Sequence, residues 1–414
     1  MDPVQRSSNS STGEFQRNEN GWQNSVIIIP TLLSASTLIV VIVILWKSIR
    51  RKGEKKRVSV SDDTAADLGG EWAVNNAATY ENFPEVVDPI LKKWEMPDGW
   101  QITDQVVICN GQYGPISRAS LVGEGVADGK QDVVLKELSE DFSPGEAQDF
   151  TDLMKFHIQV CNHENLVKML CCKIEARPLC LVLKAMNLGN LLSFLWRSRQ
   201  GDNGSRVTEK WIFHTATQVA SALEYLSGTH SLVHGFVAAC NVLIHEDMTV
   251  ELCGLGLTAI MHRTGSIPAR RAAQVPLKWQ SPERLSGDTP TEKSDMWSFG
   301  ILLYEMVTLG SPPYPNLEIS QVLPSLQKMQ WMEKPARCTD RLYEVMLRCW
   351  AWEASQRPCF MELMKQLQNL VGKADDHTRL SALDTISQSD YTRLSGISVC
   401  PGTLTCVQGA GHGP

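Results

Sequence analysis

The run Val26–Trp46, VIIIPTLLSASTLIVVIVILW, holds 21 residues without a charge and limits what the rest of the chain can be. As a helix rising about 1.5 Å per residue it would extend about 31 Å, the depth of a bilayer's hydrocarbon core. A signal peptide has a shorter apolar core, a basic leader beside it and a small-residue cleavage site. Here 25 largely polar residues precede the run, and Leu45-Trp46-Lys47 closes it. The sequence therefore predicts a retained single-pass transmembrane helix over 26–46. Lys47, Arg50, Arg51, Lys52, Lys55, Lys56 and Arg57 follow at once, against Arg6 and Arg17 on the other side. The positive-inside rule then puts the N-terminus outside and everything after the span in the cytosol. The basic stretch Lys47–Arg57 also suits anionic lipid head groups.

Residues 1–25 form a Ser/Asn-rich outer stub, too short for a ligand-binding ectodomain. Asn9-Ser10-Ser11 within it is a glycosylation sequon. All twelve cysteines lie after the span, on the reducing side, and none has zinc-ligand spacing. A net charge of −7 gives no sign of a nucleic-acid partner. Residues 47–101 read as a basic juxtamembrane linker, packed near its Trp- and Pro-rich end. Residues 102–372 read as one folded domain. Residues 373–414 lose hydrophobic periodicity and read as a disordered tail.

Within 102–372 the first part is strand-rich: Gln105–Ile108, Ile116–Leu121 and Asp132–Lys136, followed by helical spacing over 145–160. Beyond residue 190 the pattern is mainly helical. A small β-rich lobe followed by a larger helical lobe is an α+β, bilobal layout.

The motifs fall in the order of a protein kinase domain, which the chain resembles over about 270 residues. Cys109-Asn110-Gly111-Gln112-Tyr113-Gly114 resembles the glycine-rich loop over ATP phosphates, with Gly111 and Gly114 kept and Cys109 in the first glycine position. Val133-Val134-Leu135-Lys136 resembles the strand whose lysine meets the α- and β-phosphates. Pro276–Glu283 resembles the tyrosine-kinase form of the segment closing the activation loop. Ser294–Glu305 resembles the central helix of the large lobe, and Cys349-Trp350 with Gln356–Phe360 its closing helices. The resemblance gives His234, Glu283, Asp295 and Arg357 fold-keeping roles: Glu283 pairs with Arg357, and Asp295 holds the catalytic-loop backbone.

The catalytic centre departs from this pattern. His234-Gly235-Phe236-Val237-Ala238-Ala239-Cys240-Asn241 stands where kinases show HRDLAARN, so Phe236 replaces the aspartate that orients the substrate hydroxyl. Asn241 keeps the metal-binding asparagine. Eighteen residues after Phe236, Gly254-Leu255-Gly256 stands for DFG, and the magnesium aspartate is Gly254. Glu251 is the only carboxylate nearby, three positions off. The glutamate that should pair with Lys136 falls at Leu153, with Asp152 beside it. Loss of a positioned base alone removes about 10²- to 10⁴-fold of rate.

The outer stub, the single span and Cys253-Gly254-Leu255-Gly256-Leu257 together resemble the serine/threonine/tyrosine kinase one family, also called novel oncogene with kinase domain. Members are described as membrane-tethered tyrosine-protein kinases that promote growth signalling. That resemblance implies ATP and Mg²⁺ as cofactors, with Gly111, Gly114, Lys136 and Asn241 for the nucleotide and Asn241 for the metal. Phe236 departs from the family's His-Gly-Asp.

Two functions compete. One is a pseudokinase: a membrane-anchored scaffold or allosteric regulator that binds cytoplasmic signalling proteins, another kinase among them. The other is a slow but active protein tyrosine kinase. A receptor for a soluble ligand is disfavoured by the short stub. The activation loop, read as 257–275, has no tyrosine but carries Thr264 and Ser266 beside Arg263, Arg270 and Arg271. Tyr80-Glu81-Asn82-Phe83 has the form of a phosphotyrosine docking site, and Tyr80 or Tyr391-Thr392-Arg393-Leu394 that of a sorting signal.

Overall fold

Alternating apolar residues in Ile116–Leu121 and Val133–Leu135 build the first layer of the molecule, a five-stranded antiparallel sheet. The computed structural model describes residues 88–126, 129–199, 207–265, 275–382 and 385–396. The proposed span 26–46, the basic stretch 47–57, the sequon and Tyr80 lie outside the described residues. Among the described residues, no helix is long and apolar enough to cross a membrane. The chain divides at residue 84, and residues 85–414 form a compact unit with its own core.

The sheet runs in the order β1 (Gln101–Asn110), β2 (Pro115–Val122), β3 (Lys130–Glu137), β5 (Cys180–Lys184), β4 (Met169–Lys173). Ala119, Leu121, Val133, Leu135, Cys171, Cys180 and Val182 pack in its core, closed by Met96, Trp100 and Ile102. A short two-stranded ribbon, β6 (Val242–Ile244) and β7 (Val250–Leu252), lies beyond it in sequence.

The helices are α1 (Pro89–Lys92), α2 (Pro144–Gln159), α3 (Leu191–Arg199), α4 (Glu209–Glu224) and α5 (Gly256–Thr264). They continue with α6 (Pro282–Leu285), α7 (Glu292–Val307), α8 (Ile319–Gln327), α9 (Asp340–Cys349), α10 (Phe360–Val371) and α11 (Gln388–Ser395). Helix α2 starts at a capping box, Ser143 with Glu146, and Pro144 sits in its first turn, where a missing N–H costs nothing. Helix α7 is apolar nearly all round (Met296, Trp297, Phe299, Ile301, Leu302, Leu303 fully buried), so it forms the centre of the helical lobe.

Two expectations are corrected. The segment after residue 372 is not a disordered tail as far as residue 396. Asp375 accepts from the Lys210 N–H (3.1 Å), Leu380 donates to the Val207 carbonyl (2.8 Å), and α11 is capped by Ser387 at one end and left-handed Gly396 at the other. Its composition hid buried side chains, above all Tyr391, which is 0% exposed. Tyr391-Thr392-Arg393-Leu394 therefore does not present its tyrosine as a surface sorting signal. The activation loop is likewise not all loop, because its residues 257–264 lie in α5.

Candidate functional site

The catalytic-loop backbone is held by two buried carboxylates. Asp295, at the start of α7, accepts from the backbone N–H of His234 (2.6 Å) and of Gly235 (2.8 Å). Glu305, near the end of α7, accepts from the Ala239 N–H (2.9 Å), from Trp279 Nε1 (3.0 Å) and from the Tyr391 hydroxyl (2.9 Å). Burial pushes both carboxyls up to about 7, against the lowering pull of those donors. His234 is also fully buried, which depresses its pKa to about 4 and keeps it neutral. Its Nε2 then donates to the Cys253 carbonyl (2.8 Å), and its Nδ1 accepts from the Phe236 N–H (3.2 Å). Gly235 has φ +76°, a left-handed turn that favours glycine.

These contacts set Phe236 in the position of the base, 7% exposed. Its ring can neither accept a proton nor hold a hydroxyl. Asn241 donates from Nδ2 to the Phe236 carbonyl (3.0 Å), bracing the same loop. Gly254 follows β7 at φ +85°, and a Cβ there would lie 2.6 Å from both Asn241 Cγ and Oδ1. The side chain of Asn241 thus fills the space an aspartate at 254 would use. Glu251 turns to His245 instead, Oε1 to Nε2 at 3.3 Å. Mg²⁺ does not fit this site: one amide is left of the ligand pair, and it is packed against Gly254.

Lys136 lies on β3, opposite Ile116 of β2 and Leu181 of β5. Among the described residues it makes no ion pair with a carboxylate. Leu153 is buried in α2, and Asp152 is turned to Arg263 of α5, Oδ2 to Nε at 2.8 Å. Asp149, also buried, takes the other arm of Arg263, Oδ1 to Nη2 at 2.5 Å. The acidic side of α2 is therefore clamped to the activation segment, with His262 edge-on to Phe156 beside it. The Lys136 charge instead acts on His157, Cys161 and Cys253. Burial first, then the Lys136 charge, depresses His157 to about 3, and burial pushes the Cys253 thiol up to about 11. His157 Nδ1 has no hydrogen-bond partner.

The glycine-rich turn is folded inward. Gly111 N–H closes on the Gly114 carbonyl (2.7 Å), and Tyr113 is buried edge-on against Phe150 of α2. Gln112 lies so close to Gly256 that a Cβ there would meet Gln112 Oε1 at 2.5 Å. Side chains of the turn thus reach Phe150 of α2 and Gly256 at the start of α5. Of the nucleotide-binding set, Gly111 and Gly114 close the turn, Lys136 lies on β3 without a paired carboxylate among the described residues, and Asn241 packs against Gly254.

The fold-keeping pair is formed in full. Arg357, whose side chain is 0% exposed, meets Glu283 through Nη1 (2.7 Å) and Nη2 (2.9 Å), while Nε donates to the Ala351 carbonyl (2.9 Å). Burial works to raise the Glu283 carboxyl, yet the arginine and Ser281 outweigh it and hold it below the usual range. Sequence reasoning did not reach the Arg263 clamp, His157 or the Glu305–Tyr391 contact. For the last, the signal was an acid inside the apolar run Ile301–Val307, which demands donors from elsewhere.

The family model described as protein tyrosine and serine/threonine kinase matches residues 102–367. The chain is 38% identical over 394 residues to tyrosine-protein kinase STYK1 of Homo sapiens, which spans 91% of this chain and 92% of that protein. The STYK1 of Mus musculus is 35% identical over 393 residues, 91% of each. Human tyrosine-protein kinase ABL2 is 35% identical over 298 residues, 70% of this chain and 23% of that protein.

Proposed function

Because the chain belongs to the protein tyrosine and serine/threonine kinase family, we propose that it is a membrane-anchored pseudokinase in growth signalling, acting as a scaffold or allosteric regulator of cytoplasmic signalling proteins. The observation that carries this reading is the pair Phe236 and Gly254: no base at one, and at the other no carboxylate and no room for one beside Asn241. The inward glycine-rich turn and the lysine without its carboxylate support it. The span 26–46 supplies the anchor, with the N-terminus outside, and Lys47–Arg57 meets anionic lipid.

The test is a thermal-shift titration of residues 85–414 with ATP, with and without Mg²⁺, beside a phosphoryl-transfer assay. No Mg²⁺-dependent shift and no transfer are expected. Transfer that disappears in Lys136→Met would overturn the proposal. That outcome would favour the second reading, a slow protein tyrosine kinase, which Lys136 on β3 and the retained Asn241 support. Extraction of the full chain from membranes by alkaline carbonate would remove the anchor.

A further inference from the structure

The segment entering the small lobe is a strap with one side fixed and the other bare. On the fixed side, Leu91 is 2% exposed, and Asp88 pairs with Lys155 of α2 at 2.6 Å. The Cys172 N–H donates to the Trp94 carbonyl (2.8 Å), and the Met96 N–H donates back to the Cys172 carbonyl (2.8 Å), so the strap continues the sheet past β4. Glu95 Oε2 accepts from the Ile174 N–H (2.9 Å). These contacts tie the strap to α2 and β4, and Met96 packs on the sheet core. Ile90 is 41% and Trp94 38% exposed, four residues apart, with exposed Lys92 and Lys93 between them. Lys92 is partly offset by Glu175 (3.2 Å), whereas no ion pair holds Lys93 among the described residues.

We infer that Ile90, Trp94 and Lys93 form a membrane-contact face that seats the small lobe on an anionic bilayer. An aliphatic and an indole side chain flanked by lysines match the boundary between head groups and acyl chains, where Trp partitions and Lys meets lipid phosphate. The occupant is argued from the chain itself: the strap begins 42 residues after Trp46, so a tethered domain meets the same bilayer again and again at high effective concentration. This rests on the proposed anchor for its biological setting, though not for its test.

The experiment uses residues 85–414, the unit with its own core, and sedimentation with vesicles of phosphatidylcholine alone or with one-third phosphatidylserine. Binding to the anionic vesicles is expected. Lys93→Glu should weaken it by about fivefold or more, from about 1 kcal/mol per lysine at the surface. The double variant Ile90→Ser/Trp94→Ser should weaken it at least as much, with the melting temperature read beside it to separate lost membrane contact from lost packing. Absence of binding to anionic vesicles, or binding that both variants leave intact, would overturn the inference. Carbonate extraction of the full chain reads the anchor separately, so either claim can fail alone.

Discussion

Replacing Tyr391 by phenylalanine removes one hydroxyl and isolates what docks the C-terminal helix. Glu305 is fully buried, has no cationic partner among the described residues, and takes three donors, of which the Tyr391 hydroxyl alone serves Oε1. Its pKa is raised by burial to about 7, above the 4.5 of a free glutamate. The folded state therefore holds this proton more tightly than the unfolded chain does. The stability Glu305 contributes is complete below pH 4.5 and is lost as the pH rises through about 7, a swing of about 3 kcal/mol. His234 works the other way: depressed to about 4, it contributes stability that is complete above about 6.5 and is lost as the pH falls through about 4. Asp295, also raised to about 7, swings in the same sense as Glu305, so three titrations superpose in the parent protein and the informative quantity is the difference between parent and variant. A hydrogen bond to a charged carboxylate is worth about 1.5–3 kcal/mol, and one to a neutral carboxyl about 1 kcal/mol. With about 2 °C of melting temperature per kcal/mol in a domain of this size, Tyr391→Phe should melt about 4 °C lower at pH 8 and about 2 °C lower at pH 5. Hydrogen exchange over 388–395 should accelerate in step. An equal loss at both pH values would refute the role of the Glu305 charge. No loss at either would show that α11 is not docked through this hydroxyl.

Arg357→Met should cost about 3–5 kcal/mol in urea titration, since it leaves the Glu283 carboxylate half-buried without its bidentate partner. Gly254→Asp, the change that would restore a metal ligand, should instead lower stability by about 2 kcal/mol, because the new Cβ meets Asn241 and the backbone is left-handed at φ +85°; a thermal melt reads it. Arg263→Gln should lower the melting temperature by several degrees and raise hydrogen exchange across 256–264, because it takes the guanidinium from the fully buried Asp149 carboxylate and unties α5 from Asp152.

What was legible in the sequence follows from what is local. Ser143-x-x-Glu146 announces a helix start, and alternation in Ile116–Leu121 a strand. The motifs around Glu283, Asp295 and Arg357 mark positions whose partners sit at fixed places in the family fold. The cleft was less legible. That Asp152 serves Arg263, 111 residues away in sequence, depends on α5 being a helix, and nothing local in Leu257–Thr264 separates helix from loop beyond its apolar spacing. Tyr391 escaped for a similar reason: a Ser/Thr-rich segment with one aromatic residue looks solvated until the buried acid it reaches is known.

The same side chains account for how the fold stands without aspartates at 236 and 254. Asp295 and Glu305 fix the catalytic-loop backbone through the N–H groups of His234, Gly235 and Ala239, and none of these bonds involves the side chain at 236. An aspartate at that position, 7% exposed, would carry a desolvation cost. Phenylalanine avoids that cost and adds buried apolar area worth about 1.5–3 kcal/mol. At 254 the aspartate's space is already taken by Asn241, which braces the loop through the Phe236 carbonyl. Each departure from the kinase pattern thus favours the folded state. A chain free of the demand for phosphoryl transfer would be expected to keep Glu283, Asp295, Glu305 and Arg357 and to lose these two aspartates.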